Sequence, residues 1–427
     1  MLEIEEKYKK RLIDKSVDLY LSVAGAVCIE GPKWCGKTWT SLFHSKSAFM
    51  VGDPTNDFSN RKLIEMSPSI ALQGETPRLL DEWQEVPGVW DAVRFEVDRR
   101  GERGQFLLTG SSTPVLKGVM HSGAGRIMHL KMNTMSLYET GDSSGLISLK
   151  DLCDNKIKDQ MVEGKSLIDI AYYLVRGGWP QNIGVDINKA HLMPKAYMDT
   201  IINNDIKKLD DGVEYSKHKV ELLLKSLARN ESTTVSDSTL LKDIEEKDSE
   251  SMSRNTIARY LELLERLFIL NNQKPFSPSI RSSLRIKQKE KRHFSDPAMA
   301  CALLDITPNK LLNDLQIFGF LFEGLVEHDL AIYAQAINAK LYHYQDYSNN
   351  EMDSVIELED GSWCGIEIKL GANQIEAAAE NLIRINDSII SGGGKGAKSL
   401  MVICGLTNAA YRRKDGVLVV PITALKD

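Results

Sequence analysis

The sequence predicts an α/β fold: a parallel sheet covered by helices on both faces in the N-terminal part, and mixed helix and strand again at the C-terminal end. Three short apolar runs carry the first half. Ala26-Val27-Cys28-Ile29, Arg78-Leu79-Leu80-Asp81-Glu82 and Gln105-Phe106-Leu107-Leu108-Thr109-Gly110 each run into polar or glycine-containing turns, as buried strands do. Helical patterns lie between them, and strands alternating with helices form a parallel sheet. In the last third, Ser354-Val355-Ile356-Glu357-Leu358 and Trp363–Lys369 flank a Glu359-Asp360-Gly361 turn, which reads as a pair of neighbouring strands.

The 427 residues suffice for two to four domains, and 42% hydrophobic with 26% charged residues allows each a real core. A formal net charge of −6 argues against a protein that coats nucleic acid over its whole surface, but not against a local basic patch. Cys28, Cys35, Cys153, Cys301, Cys364 and Cys404 are scattered with no C-x-x-C pair, which argues against zinc and suits a reducing cytoplasm. The charged start MLEIEEKYKKRLIDK lacks the apolar core of a signal peptide, and no run of about 18 apolar residues exists to span a bilayer. A cytoplasmic protein with no membrane partner is expected.

Residues 5–23 read as a helix. Residues 141–212 are mostly helical in pattern, broken at Gly177-Gly178-Trp179-Pro180. Residues 216–293 hold three helical stretches, at 217–229, 238–247 and 254–270, followed by the basic segment FSPSIRSSLRIKQKEKRH. Residues 294–427 return to mixed structure around a glycine-rich loop, Ser391–Gly396. These shifts predict boundaries at 1–212, 213–293 and 294–427.

Gly31-Pro32-Lys33-Trp34-Cys35-Gly36-Lys37-Thr38 matches G-x-x-x-x-G-K-[ST] in full. Glycines let the backbone curl so that its N–H groups face phosphates, and the helix that follows, entered at Thr38-Trp39, offers its positive dipole end. Lys37 would reach the β- and γ-phosphates of ATP, and Thr38 would hold Mg²⁺. A second strand must bring a carboxylate to that metal. Asp81 fits, with the adjacent Glu82 placed to polarise an attacking water. The third strand ends in Thr109-Gly110-Ser111-Ser112, whose hydroxyls either position the water or serve ordinary turn chemistry.

These pieces, together with SGAGRIMHLKMNTMSLYE and RGGWP, resemble the AAA+ ATPases, and more narrowly a prokaryotic family of predicted ATPases that join an AAA+ core to a C-terminal domain of poorly known function. The resemblance implies that Asp81-Glu82 is Walker B and that Thr109 or Ser111 is sensor 1. It implies for Arg126 either a finger acting on a γ-phosphate in trans, which requires a homo-oligomer, or a structural arginine near a strand start. Met135-Ser136-Leu137 stands where that family has a proline, a departure that bears on loop shape. Trp179-Pro180 reads as a rigid packing turn, and Arg176 as a surface arginine with a lesser claim to approach the nucleotide. Cys35 lies inside the phosphate loop, where oxidation would block nucleotide binding.

In the middle segment, Ile257, Tyr260, Leu261, Leu264, Leu267 and Phe268 share one helical face. With the preceding stretch at 239–246 this looks like a winged helix-turn-helix. Arg254 and Arg259 on the recognition-type helix, and Arg285, Lys287, Lys289 and Lys291 on a basic wing, are candidate contacts to double-stranded DNA. The acidic neighbours Asp243, Glu245, Glu246, Asp248 and Glu250 keep protein docking and a plain solvated face open.

In the C-terminal part Glu367 and Lys369 lie two apart and so share a strand face, within reach of Asp353 on the neighbouring strand. Two acids and a lysine can hold a divalent ion and activate water for phosphodiester cleavage. The pattern resembles PD-(D/E)xK nucleases, with Glu323 in a first core helix and Gln374 opening the next. Either an active nuclease or a silent scaffold satisfies it. The predicted architecture is thus a P-loop AAA+ sheet with a helical lid, a winged helix, and a restriction-endonuclease-like α/β domain.

Overall fold

The computed structural model describes residues 6–112, 122–206, 216–245, 252–278 and 288–427. The chain forms two compact units, Met1–Thr134 with Leu263–Ile269, and Met135–Glu262 with Leu270–Asp427.

The first unit is a five-stranded parallel sheet in the order β2-β3-β4-β1-β5. Its strands are β1 (Ala26–Glu30), β2 (Ser47–Met50), β3 (Arg78–Asp81), β4 (Phe106–Gly110) and β5 (Ile127–Lys131). The three strands read from the sequence are the inner ones, buried on both faces. Alternate residues feed opposite cores, as period-two geometry requires. Ala26, Cys28, Leu80, Phe106 and Leu108 meet Trp83, Trp90, Val93 and Val97 on one side. Val27, Ile29, Leu79, Leu107 and Leu130 meet Ile13 and Val17 on the other. Each fully buried aliphatic or aromatic side chain contributes roughly 1.5–3 kcal/mol. Helix Gly88–Arg100 covers the first face and helix Asp14–Val23 the second.

That second helix is shorter than the predicted 5–23. Residues 8–13 leave the helix because their side chains are needed elsewhere: the Tyr8 hydroxyl donates to Asp14 Oδ1 at 2.6 Å, and Arg11 is buried against the phosphate loop.

The second unit is built on a mixed seven-stranded sheet, β7-β12-β13-β11-β10-β9-β8. After helix Leu315–Ala336 come β8 (Lys340–Gln345), β9 (Glu351–Glu357) and β10 (Trp363–Lys369) as an antiparallel meander. Helix Ile375–Ser391 then crosses over to β11 (Ser399–Cys404), parallel to β10. The crossover is forced, since parallel neighbours cannot be joined by a tight turn. β12 (Ala409–Arg412) and β13 (Leu418–Pro421) extend the sheet.

Residues 135–206, expected as a lid within the N-terminal domain, group with this C-terminal sheet. β6 (Ile147–Ser148) pairs with β14 (Leu425–Lys426), and β7 (Gln160–Met161) with β12. The Leu137 N–H donates to the buried Asp329 carboxylate at 2.9 Å. At the departure from the expected proline, Ser136 caps the short helix Leu137–Thr140 and Glu139 returns the bond to the Ser136 N–H, so a capping box shapes the loop.

Trp179 is fully buried against Tyr197, and Gly178 admits no side chain, because a Cβ would lie 2.1 Å from the Met135 carbonyl. Arg176 is not at the surface as expected: it is buried, paired to Asp142 at 2.8 Å and stacked on Tyr172 and Tyr173. The middle segment forms helices Lys217–Arg229, Asp237–Glu245 and Arg254–Arg266. Residues 270–275 then bridge to 291–294 and to the start of the C-terminal sheet. Among the described residues no helix is long and apolar enough to cross a membrane.

Candidate functional site

The phosphate loop leaves the carboxyl end of β1, between β4 and β5. Gly36 takes φ +110° as the N-cap of helix Lys37–Phe43, a left-handed position that favours glycine. Gly31 is needed for space, since a Cβ there would lie 2.0 Å from the Met132 carbonyl oxygen. The Lys37 ammonium is buried and donates to the carbonyls of Gly31 at 2.9 Å and Pro32 at 2.8 Å.

The loop is clasped from behind by Arg11, which donates to the Cys35 carbonyl at 2.8 Å and the Asn133 carbonyl at 2.9 Å. Sequence reasoning missed this residue, because nothing local ties it to a motif 24 positions on. Cys35 is buried with Sγ 3.7 Å from the Met132 carbonyl, so a solvent oxidant has no direct path to it. Trp34 and Trp39 stand exposed beside the loop, as does half-exposed Lys33.

The ends of β3 and β4 complete the site. Asp81 Oδ1 accepts from Thr38 Oγ1 at 2.9 Å and from Thr109 Oγ1 at 2.7 Å. Burial pushes the Asp81 carboxyl above its ordinary value, against the opposing bonds from Thr109 and Thr38 and the charge of Lys37. Glu82 adopts φ +57°, its N–H donates to Thr109 Oγ1 at 2.9 Å, and its Oε2 accepts from Ser111 at 2.9 Å. Gln84 joins this set through Glu82 and Ser111 Oγ; it, too, was not foreseen.

Lys37, Thr38, Asp81, Glu82, Thr109 and Ser111 therefore converge. They fit a nucleotide triphosphate and Mg²⁺: a curled backbone too tight for a Cβ at Gly31, a buried cation held only by neutral carbonyls, and a hydroxyl–carboxylate pair of hard oxygens.

Arg126 is not part of this constellation. It precedes β5, level with the start of β1, so it lies at the amino end of the strands, roughly 16 Å of strand from the loop. There it pairs with the exposed Asp98 at 2.8 Å. This chain's own nucleotide is out of its reach.

A second charged cluster lies in the second unit. Lys369 bridges Asp353 Oδ2 at 2.9 Å and Glu367 Oε2 at 2.6 Å, and the Ile368 N–H donates to Asp353 at 2.7 Å. The acid–acid–lysine trio is thus assembled as its strand positions predict. Gln374 is not part of it: exposed, it caps its own turn by accepting from the Gly371 N–H at 3.3 Å. Asn381, two helical turns on, takes the place beside the trio by donating to Glu367 Oε1 at 2.8 Å.

The larger correction concerns Lys291. Expected as an exposed contact to DNA, it is fully buried. Its ammonium donates to Glu327 Oε1 at 3.0 Å, to the Asp353 carbonyl at 3.1 Å, and to Glu323 in a still closer contact. Glu323 and Glu327 are four apart on one helix and so share a face.

Burial alone would lower the Lys291 ammonium, but the acids around it hold it well above its ordinary value. Burial pushes Glu327 and Glu367 up to about 7. It also pushes Asp353 up, yet Lys369 and Lys291 outweigh it and bring that carboxyl below its ordinary value. Of the other candidate DNA contacts, Arg254 and Lys289 are exposed and Arg259 is half-buried, while Arg285 and Lys287 lie outside the described residues.

Residues 24–141 match the AAA domain family. Residues 167–310 and 318–425 match two domains of unknown function, DUF8612 and DUF4143. The uncharacterized proteins Rv2008c of Mycobacterium tuberculosis and Mb2031c of Mycobacterium bovis are each 25% identical over 350 residues, 81% of this chain and 70% of theirs. Among solved structures, the Walker-type ATPase paby2304 of Pyrococcus abyssi aligns with a TM-score of 0.44 at 11% identity, over 70% of this chain and 97% of that one. The replication initiator DnaA bound to AMPPCP and single-stranded DNA aligns with a TM-score of 0.25 at 13% identity, over 60% and 86%. The match over residues 24–141 gives the N-terminal unit an AAA-type domain.

Proposed function

We propose that this chain is a Mg²⁺-dependent ATPase that works as a nucleotide-driven switch. The observation that carries the reading is the convergence of Lys37, Thr38, Asp81, Glu82 and Ser111 at the ends of three adjacent strands. The loop amides and Lys37 bind the phosphates. Thr38 and Asp81 would hold Mg²⁺, which supplies charge neutralisation at the phosphate oxygens. Glu82 takes the proton of the attacking water. Ser111 and Gln84 fix the Glu82 carboxylate, and Thr109 fixes its backbone, so that side chain is oriented before substrate arrives. With its own chain's phosphate loop out of reach, a finger role for Arg126 requires the nucleotide of a second copy in a homo-oligomer.

The middle segment and the C-terminal sheet support a finer reading as a winged helix followed by a nuclease-like core. Three helices precede a bridged pair of extended segments, and the helix–three strands–helix–strand order surrounds the Asp353–Glu367–Lys369 trio. The burial of Lys291 favours a silent scaffold that engages a protein over an enzyme that cuts DNA, since the basic wing loses one of its cations to the interior.

The test is ATP turnover with Mg²⁺, with and without single- and double-stranded DNA, using Lys37→Ala as the blank. Turnover absent from wild type, or unchanged in Lys37→Ala, removes the ATPase reading. DNA stimulation that vanishes in the blank restores the DNA-associated enzyme. Turnover indifferent to DNA keeps the protein-partnered switch.

A further inference from the structure

A lysine ammonium carries three N–H donors and no acceptor. The Lys291 ammonium has three acceptors in the structure, one each from Glu323, Glu327 and the Asp353 carbonyl. Two carboxylates and a carbonyl converging from a helix and a strand are also the hard-oxygen set that a divalent cation takes. The neighbouring carboxylates of Asp353 and Glu367 share one ammonium, that of Lys369, in the same way.

Lys291 is firmly placed. Its N–H and carbonyl exchange two 2.9 Å bonds with Gln273, and the next residue, Arg292, is bonded on both sides, to Thr233 and Ser232. Glu327 is held further by Ser354 at 3.0 Å. A metal ion entering this cage would stand against a buried ammonium, in surroundings where like charges repel more strongly than in bulk water.

We propose that Lys291 is the resident cation of the acidic cluster, so that this cluster takes no divalent metal ion and the unit, as folded, cleaves no phosphodiester bond. The idea rests on reading the second unit as nuclease-like, and it supplies the physical reason for its silence.

The experiment is Mn²⁺ binding by the nucleotide-free full chain, followed by electron paramagnetic resonance. It compares wild type, Glu323→Gln, Lys291→Met and the double variant Lys291→Met/Glu323→Gln. Melting curves are taken with and without Mn²⁺, alongside a plasmid-cleavage assay. Wild type should show no Mn²⁺ site that Glu323→Gln removes. Lys291→Met should melt below wild type, recover on adding Mn²⁺, and gain one site at least tenfold tighter than any background, a site absent from the double variant.

A wild-type Mn²⁺ site lost in Glu323→Gln overturns the proposal, as does a folded Lys291→Met with no new site. Should Lys291→Met fail to fold even with Mn²⁺, the wild-type and Glu323→Gln titrations decide alone. Metal-dependent cleavage by wild type that Glu367→Ala abolishes would sink the counter-cation idea and establish the nuclease. A folded Lys291→Met that binds Mn²⁺ yet cuts nothing would uphold it and remove the nuclease-like reading.

Discussion

Lys37 and Lys291 are both buried ammoniums flanked by acids in the sequence-predicted sites, and they do opposite things. Lys37 is held by the carbonyls of Gly31 and Pro32, which take two of its three protons without cancelling its charge. Lys291 is held by Glu323 and Glu327, whose opposite charges take up its own in ion pairs. A buried cation with only dipolar partners remains an attractor for phosphate; one inside an ion-pair cage has become part of the fold. The residue types in the two sites are nearly the same. What separates a ligand site from a structural one is the charge left after the neighbours are counted.

The largest expected effect lies on the P-loop side. Glu82→Gln keeps the side chain's shape and its bond from Ser111 but removes the proposed base. ATP turnover should fall by about 10²–10⁴-fold, the usual weight of a general base, while ATP affinity holds. Single-turnover kinetics with a fluorescent nucleotide would read both. Unchanged turnover would dissolve the contrast, because the first site would then be only another set of buried ion partners.

On the other side, Lys291→Met takes the ammonium away from two buried carboxylates, leaving Glu327 with Ser354 and His293. Breaking a buried ion pair from one side costs about 3–5 kcal/mol, and the urea transition of the second unit should move down accordingly. Lys289→Met, two residues away but exposed, should stay within about 0.5 kcal/mol of wild type. Equal effects from the two substitutions would mean that Lys291 is not the cation the cluster depends on.

A smaller effect concerns pH. Glu367 is pushed up to about 7 by burial, so the folded state binds its proton more tightly than the unfolded chain does. Such a carboxyl favours folding most at pH below its unfolded value near 4, and that advantage is lost as pH rises through about 7. His293 runs the other way: burial lowers its pKa, so its contribution grows as pH rises toward neutrality. The difference between wild type and Glu367→Gln isolates the carboxyl. The glutamine variant should gain a few degrees in melting temperature relative to wild type between pH 5 and 8. A constant difference would show that Lys369 fully compensates the carboxylate.

The two sites were also unequally legible in the sequence. A phosphate loop is contiguous: its glycines, lysine and threonine are fixed by one turn of backbone, so eight letters specify it. Asp81 and Glu82 could be found because an apolar strand points to its own polar end. Arg11 and Gln84 could not, since their partners are set by the closed sheet. Strands β2 and β5 sit at the sheet edges and lack the long apolar runs of the inner strands. Lys291 was hidden by its neighbours. In KQKEKRH a composition-based reading sees solvated basic charge, yet Lys291 and His293 are buried while Arg292 between them is not. The alternation at 291–293 is that of an extended segment with one face inward, and no alternation of residue type in KQKEKRH announces it.

The same lesson makes the smallest prediction. The nuclease resemblance implies a functional role beside the trio for Gln374, which opens a helix, but the structure gives it a local cap on an exposed turn, and Asn381 donates to Glu367 from further along the same helix. Asn381 also donates to the Glu351 carbonyl at 3.0 Å, so it ties two strands to the helix. Asn381→Ala strips Glu367 of a donor in a buried setting and should cost roughly 1–3 kcal/mol. It should also raise the Glu367 pKa further, steepening the loss of stability between pH 5 and 8. Gln374→Ala should leave both the stability and its pH profile unchanged within about 0.5 kcal/mol. A reversed ranking in urea denaturation would return Gln374 to the cluster and make the cap secondary, because only a residue coupled to Glu367 can move its titration.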